Sequence, residues 1–509
     1  MRRDDIFLRD AARRGDTQAC LEMATRLFGG KAGFSQNFKL GLAYLQQELI
    51  RESPCAIVLV GEMVPLELLI AQDARATLAA AARLGCEAAM LKLGVWHALR
   101  SECAEARQWL ERSGHFPDTE TAGVEDAKTF AKTLDSRIPR ELLDTREVML
   151  AGARQALRLA DVQGARYCLK GYAALTAPPV LDAATAEIVL SFVHLASNSG
   201  SESNANCALD LPVELVESSL SFRSEHADVQ AQYVLGCALA GMAYGCLLPH
   251  ALVAQKNLRR ATALLLRAAD AGQPEAWHRL YEVAADCRSV AGNQEAARFF
   301  LEKAAHAGVV QAQRKLGAFL LKEATSLEKA ERGVHWLTRA AERGDRPARE
   351  LLQTLVLPLP ALPAAIESSI VEKVRAMDAE LAARLTLARA FHLTRREALN
   401  FNARRDIRAW GLLIPGTYTE NPKGRLVPAL QESMKTELQR AASFFDAERT
   451  LGSAASQKAK VQRQVFEALA IPEERFFAAE IGRSWSHYGF GRHWAARAGP
   501  LLKEMLGEC

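Results

Sequence analysis

The sequence has no C-x-x-C pair, no His and Cys at metal-ligand spacing, and aromatic residues at only 7% of 509 positions. Its ten cysteines (20, 55, 86, 103, 168, 207, 237, 246, 287 and 509) are scattered along the chain. That argues against a zinc site and a disulfide framework. It predicts no metal, no cofactor, and cysteines that mostly serve as small core residues of a reduced, cytoplasmic protein. No uninterrupted apolar stretch reaches the roughly 20 residues a membrane span needs, so no membrane partner is expected. The start, "MRRDDIFLRDAARRGD", has no apolar run behind its arginines, which predicts no signal peptide. β-Branched residues are sparse, whereas Ala and Leu abound, and that composition favours helix over most of the length. A chain of this size exceeds one compact core, so several domains or an elongated array are expected.

What is present is a period. "AADAGQPEAWHRL", "AAHAGVVQAQRKL" and "AAERGDRPARELL" superimpose without gaps. Gly272, Gly308 and Gly344 recur every 36 residues, as do Ala276, Ala312 and Ala348, then Leu280, Leu316 and Leu352, and also Leu264, Phe300 and Trp336. Each unit reads as a helix with Ala and Leu one turn apart, a loop, then a second helix with a large apolar residue and an Ala pair that ends at a Gly, where a left-handed backbone is cheap without a Cβ. The small residues let neighbouring helices approach closely. Together these features predict a mainly α fold, a right-handed solenoid of helical hairpins. "VQAQYVLG" (229–236) nearly repeats "VQAQRKLG" (310–317). Gly85 has Ala89, Leu93 and Gly94 at the expected offsets, and Gly15 has Ala19 and Met23. Between 115 and 225 only Gly164, with Cys168 and Tyr172, fits the frame.

The stretch 333–352 resembles Sel-one-like repeats, relatives of tetratricopeptide repeats, in "A-x-x-W-L-x-x-A-A-x-x-G-x-x-x-A-x-x-x-L", with Gly333 in place of the first Ala. The resemblance implies an all-helical superhelix that binds a protein or peptide in its groove and does no chemistry. The expected organisation is N-terminal repeats over 1–114, degenerate repeats over 115–226 and regular repeats over 227–354. A Pro-rich linker over 355–363, where Pro358, Pro360 and Pro363 forbid helix, leads to a C-terminal domain over 364–509.

That last domain holds the charge excess, 22 Lys and Arg against 17 Asp and Glu. Seven arginines lie between 384 and 408. "AWGLLIPG" (409–416) predicts a strand, "TYTENPKG" (417–424) a turn and "RLVPAL" (425–430) a returning strand, with a helix from 431. The order "LTRREALNF", "RRDI", strand, Lys-bearing turn, "RLVP", helix, then "HYGFGRHW" resembles the catalytic domain of tyrosine recombinases. The resemblance implies that Arg395 or Arg396, together with Arg492, would clamp a DNA phosphate. Lys423 would act as the acid and His493 as a supporting donor. Gly489 stands where the family has its first histidine, and no tyrosine follows in the nucleophile's place; Tyr418 and Tyr488 lie elsewhere.

The expectation is therefore a non-catalytic interaction scaffold with a basic module that contacts DNA phosphate through Arg395, Arg396, Arg404, Arg405, Lys423, Arg425 and Arg492. One alternative is a truncated or degenerate strand-transfer enzyme. Another is a repeat adaptor with no nucleic-acid role.

Overall fold

The computed structural model describes residues 3–31, 33–46, 50–116, 121–176, 182–198, 209–286, 293–416, 424–447, 455–479 and 492–506. Among them are 27 α-helices and one three-stranded sheet. The protein is mainly α. It divides into two compact units, Met1–Gln273 and Pro274–Cys509. Within each, consecutive helices pack on their neighbours in chain order, as in an α-solenoid.

The hairpin corners follow from short-range chemistry. Gly272, Gly308 and Gly344 sit at φ 98°, 96° and 88°, the left-handed region expected of them. After Gly344, and at two further corners, the next helix begins at a capping side chain, whereas Val309 after Gly308 supplies none. Asp345 accepts from the Ala348 amide at 2.9 Å, Asp228 from Ala231 at 3.0 Å and Asp16 from Ala19 at 2.8 Å. The middle repeats keep this device with a different residue at the corner. Ala160 takes the turn at φ 55°, and Asp161 caps Gly164 at 3.0 Å. Gly164 is therefore not the corner glycine that its spacing suggested. It lies one turn further on, inside the helix Val162–Leu175, in the small-residue place of Ala312 and Ala348.

The glutamine shared by the two "VQAQ" stretches has one task in both. Gln232 and Gln313 are buried, and each donates at 3.1 Å to the carbonyl eight residues earlier, on Ser224 and Ala305. That carbonyl belongs to the last turn of the preceding helix, and on Ala305 the glutamine adds a second donor to the Gly308 amide at 3.1 Å. Between the helices Val310–Lys322 and Leu327–Glu342 the crossing is glycine on glycine. A Cβ on Gly317 would meet the Gly333 carbonyl at 2.9 Å and Leu337 Cγ at 2.7 Å.

In the first unit Lys92 is 1% exposed. Its ammonium donates to the carbonyls of Gly61, Glu62 and Val64 at 2.8, 2.8 and 2.9 Å, closing the C-terminal end of the helix Pro54–Met63. Burial pushes this ammonium down to about 8.

In the second unit the strands β1 (Ile407–Arg408), β2 (Gly411–Ile414) and β3 (Arg425–Pro428) form an antiparallel sheet in that order, with Leu412 opposite Val427 and Ile414 opposite Arg425. The hairpin was expected; β1, which starts at the last residue of "RRDI", was not. Alternation along the strands sends Leu412, Ile414 and Val427 into a core with Phe391, Leu393 and Phe476. Leu426, together with Trp410, joins Leu337, Leu351, Leu502 and Met505 instead. The sheet thus has a core on each face. Residues 357–363 form neither helix nor strand, and they lie inside this unit rather than at its edge.

Candidate functional site

The structure spreads the expected phosphate ligands over different environments. Arg425 does not face solvent. It is 2% exposed and forms a two-pronged pair with the fully buried Glu397, Nε to Oε1 at 3.0 Å and Nη2 to Oε2 at 2.6 Å. The expectation that Arg425 contacts phosphate is corrected on that ground, because its charge is already met by a carboxylate inside the core. Glu397 also closes a capping box with Thr394 at the start of the helix Arg395–Asn400. Arg395 is partly exposed, and its Nε lies 2.8 Å from both Gln462 Oε1 and Glu473 Oε1. Arg396 and Arg404 are exposed, and Arg405 pairs with the buried Asp406 at 2.9 Å. Lys423 lies outside the described residues. Arg492 begins the helix Arg492–Leu506, but its side chain and that of His493 lie outside them too.

Other arginines of the cluster hold the module together. Arg384 is buried and donates to the carbonyls of Ala398 and Phe401. Arg389 reaches Glu367 with Nε at 3.1 Å, and the carbonyls of Pro360 and Arg475 with Nη1 at 3.0 and 2.9 Å. It thereby fixes the Pro-rich segment against the module.

A concavity of the second unit opens beside this tie. It is a groove of about 880 Å³. Val356, Leu357, Ala390, Leu430 and Met434 give it apolar walls, and Gln353, His392, Gln431, Ser433, Glu437 and Arg497 give it a polar rim. His392 stands at φ 50°, ending the helix Ala379–Phe391, and its Nδ1–H donates to the Leu357 carbonyl at 2.7 Å. A second concavity of about 570 Å³ shares Leu430 and Gln431 and continues past Ala341, Arg349 and Lys435. The groove was not anticipated from the sequence, since its walls come from three segments that no motif links.

Among the described residues no group of three His, Cys, Asp or Glu is placed to hold a metal ion. Among them, no helix is long and apolar enough to cross a membrane.

No family model matches the sequence, and no curated protein matches it. Solved structures similar to this chain include two repeat proteins. One is a protective antigen present in uropathogenic Escherichia coli strains, displaying an SLR fold. It is 16% identical over 94% of this chain and 98% of that one, with a TM-score of 0.26. The other is a Sel1 repeat protein from Oxalobacter formigenes, 17% identical over 70% of this chain and 91% of that one, with a TM-score of 0.25.

Proposed function

We propose that this chain is a non-catalytic scaffold of Sel1-like repeats that binds other proteins, and that the groove takes an extended segment of a partner. The observation that carries this reading is the groove's construction. Its apolar walls and hydrogen-bonding rim suit a peptide that presents side chains to Leu357, Leu430 and Met434 and backbone groups to Gln353 and Gln431. A photo-crosslinking residue placed at Met434 should give discrete protein adducts in cell extract, and Leu430→Asp should remove them. A crosslinker at Leu84, exposed in the first unit, is the control. Equal adducts from both positions, or none from Met434, would sink the reading.

A second reading keeps DNA as a partner of the basic module. It is supported by the exposure of Arg396 and Arg404 and by the charge excess of 364–509. Contact there is with the sugar-phosphate backbone, so binding falls steeply with salt. Full-length chain carrying Arg396→Ala and Arg404→Ala should show a shallower salt slope than wild type. Absence of DNA binding at low salt leaves the pure adaptor. The strand-transfer alternative needs Lys423, Arg492 and His493 around one phosphate and a nucleophile beside them. A covalent adduct on a suicide DNA substrate is its test.

A further inference from the structure

The repeats of the second unit carry one cluster of side chains that their period does not require. Where Gly94, Gly236 and Gly317 stand in other repeats, the helix Pro274–Ala285 has Tyr281. Where Gln313 caps a carbonyl, it has Trp277, and the counterpart of His335 is Phe299. Packing alone is met elsewhere by small residues at the first of these places, so the large rings here are an addition.

Three of the rings touch one another, and Trp277 and Tyr281 are partly buried against the core of Leu301, Leu316 and Trp336. Trp277 meets Phe299 edge-on at 6.5 Å and Phe300 at 6.1 Å, and the two phenylalanines lie 5.7 Å apart. Phe299 is 51% exposed. Tyr281 follows Trp277 one turn along the same helix. A cation lies over each end of the row, Lys303 Nζ at 5.5 Å from the Phe299 ring and Lys315 Nζ at 5.1 Å from the Tyr281 ring. The acids nearby are already matched by arginines: Glu282 with Arg279 at 2.7 Å, and Glu302 with Arg298 at 3.4 Å. Among the described residues no carboxylate lies within 4.0 Å of Lys303 or Lys315. Lys315 is half-buried, and loss of solvent pushes its ammonium down from its ordinary value. The patch therefore presents apolar rings between two cations, of which neither is in an ion pair and Lys315 feels Glu282 only beyond ion-pair distance.

We propose that Trp277, Tyr281 and Phe299, with Lys303 and Lys315, form a docking site for an acidic segment of a partner protein. The segment sets an aromatic or aliphatic side chain on Phe299 and Trp277. Flanking carboxylates displace water from the two ammonium groups. Exposed aromatic rings flanked by charge are the composition of a binding hot spot, and the unmatched sign selects the partner's acids. This inference rests on the scaffold reading but uses none of the residues of the groove.

Fluorescence anisotropy of full-length chain with three labelled peptides tests it. In the first, Phe and Leu alternate with Glu; in the second, Gln replaces Glu; in the third, Lys does. The acidic peptide should bind saturably, the Gln peptide at least about tenfold more weakly, and the Lys peptide not at all. Phe299→Ala, and separately Lys303→Gln with Lys315→Gln, should each weaken the acidic peptide at least about fivefold at unchanged helicity. Lys303→Gln alone, on an exposed side chain, gives the same direction should the double variant unfold. Equal affinity for the acidic and Gln peptides, no saturable binding, or indifference to these substitutions overturns the proposal. So does a chain dimer that the same variants dissociate, because a second copy would then be the occupant. Groove adducts that persist while the acidic peptide fails would remove this site and leave the scaffold reading standing.

Discussion

Arg425 and Glu397 meet as a closed fork 28 residues apart in the chain, with the arginine 2% exposed and the glutamate fully buried. The pair joins strand β3 to the first turn of the helix Arg395–Asn400, whose amide cap the same carboxylate completes. Removing one partner leaves the other charged and buried. Arg425→Ala and Glu397→Gln are each expected to cost about 3–5 kcal/mol in urea unfolding of the full chain. Replacing both by Leu should cost markedly less than either alone. A loss under about 1 kcal/mol for the single variants would show that the pair does not hold the module together.

The crossing of Gly317 over Gly333 leaves no room for a methyl group. Gly317→Ala forces the two helices apart and should destabilise by about 1–3 kcal/mol. Ala160 and Ala227, at φ 55° and 60°, present the opposite case. Glycine fits the left-handed corner without a Cβ penalty, so Ala160→Gly and Ala227→Gly should each stabilise by about 0.5–1 kcal/mol. Thermal unfolding of the four chains checks the signs.

Lys92 supplies three donors to three carbonyls at one helix end. Lys92→Met would strand them away from water, at an expected cost of about 2–4 kcal/mol near neutral pH. Its folded value lies at about 8, below the ordinary 10.5 of a lysine. The unfolded chain therefore holds this proton more tightly, and between those two values the site's contribution to stability rises with pH. Urea midpoints measured across that window should rise more in wild type than in Lys92→Met. The reverse ordering would mean that the carbonyls hold the ammonium form more strongly than burial opposes it.

Gln313 and Arg349 occupy the same place in successive repeats but contact their carbonyls differently. Gln313 donates to Ala305 at 3.1 Å from a fully buried position, whereas Arg349 stands 3.5 Å from Ala341. Gln313→Ala should cost about 1–2 kcal/mol, and Arg349→Ala less than about 0.5 kcal/mol. Equal losses would mean that helix-end carbonyls do not set the difference.

The regular repeats were legible because one residue type recurs for one reason at a fixed step. Gly308 and Gly344 turn the corner, and Ala312 and Ala348 sit under the next helix. The degenerate repeats misled where two residues exchanged roles. Ala160 holds a backbone conformation usually left to glycine, while Gly164 fills an alanine's place, so a search anchored on glycine lands one turn late. The hairpin of the C-terminal region was legible from its apolar runs, but the fate of Arg425 was not. An arginine opening "RLVP" reads alike whether it faces water or a carboxylate 28 residues earlier. The groove and the aromatic patch were hidden for a different reason: each is assembled across helices, and neither follows a periodic pattern.

The sheet with a core on each face has a consequence for how this molecule comes apart. Leu412 and Val427 anchor helices between 364 and 468, while Leu426 and Trp410 anchor the last repeats and the final helix, and the strands cannot release one side without stripping the other. The Pro-rich stretch, which looks like a natural place to cut, is a seam sewn from both edges. A chain divided there would expose Leu337, Leu351 and Leu426, which share one core. Melting of the second unit should be a single event.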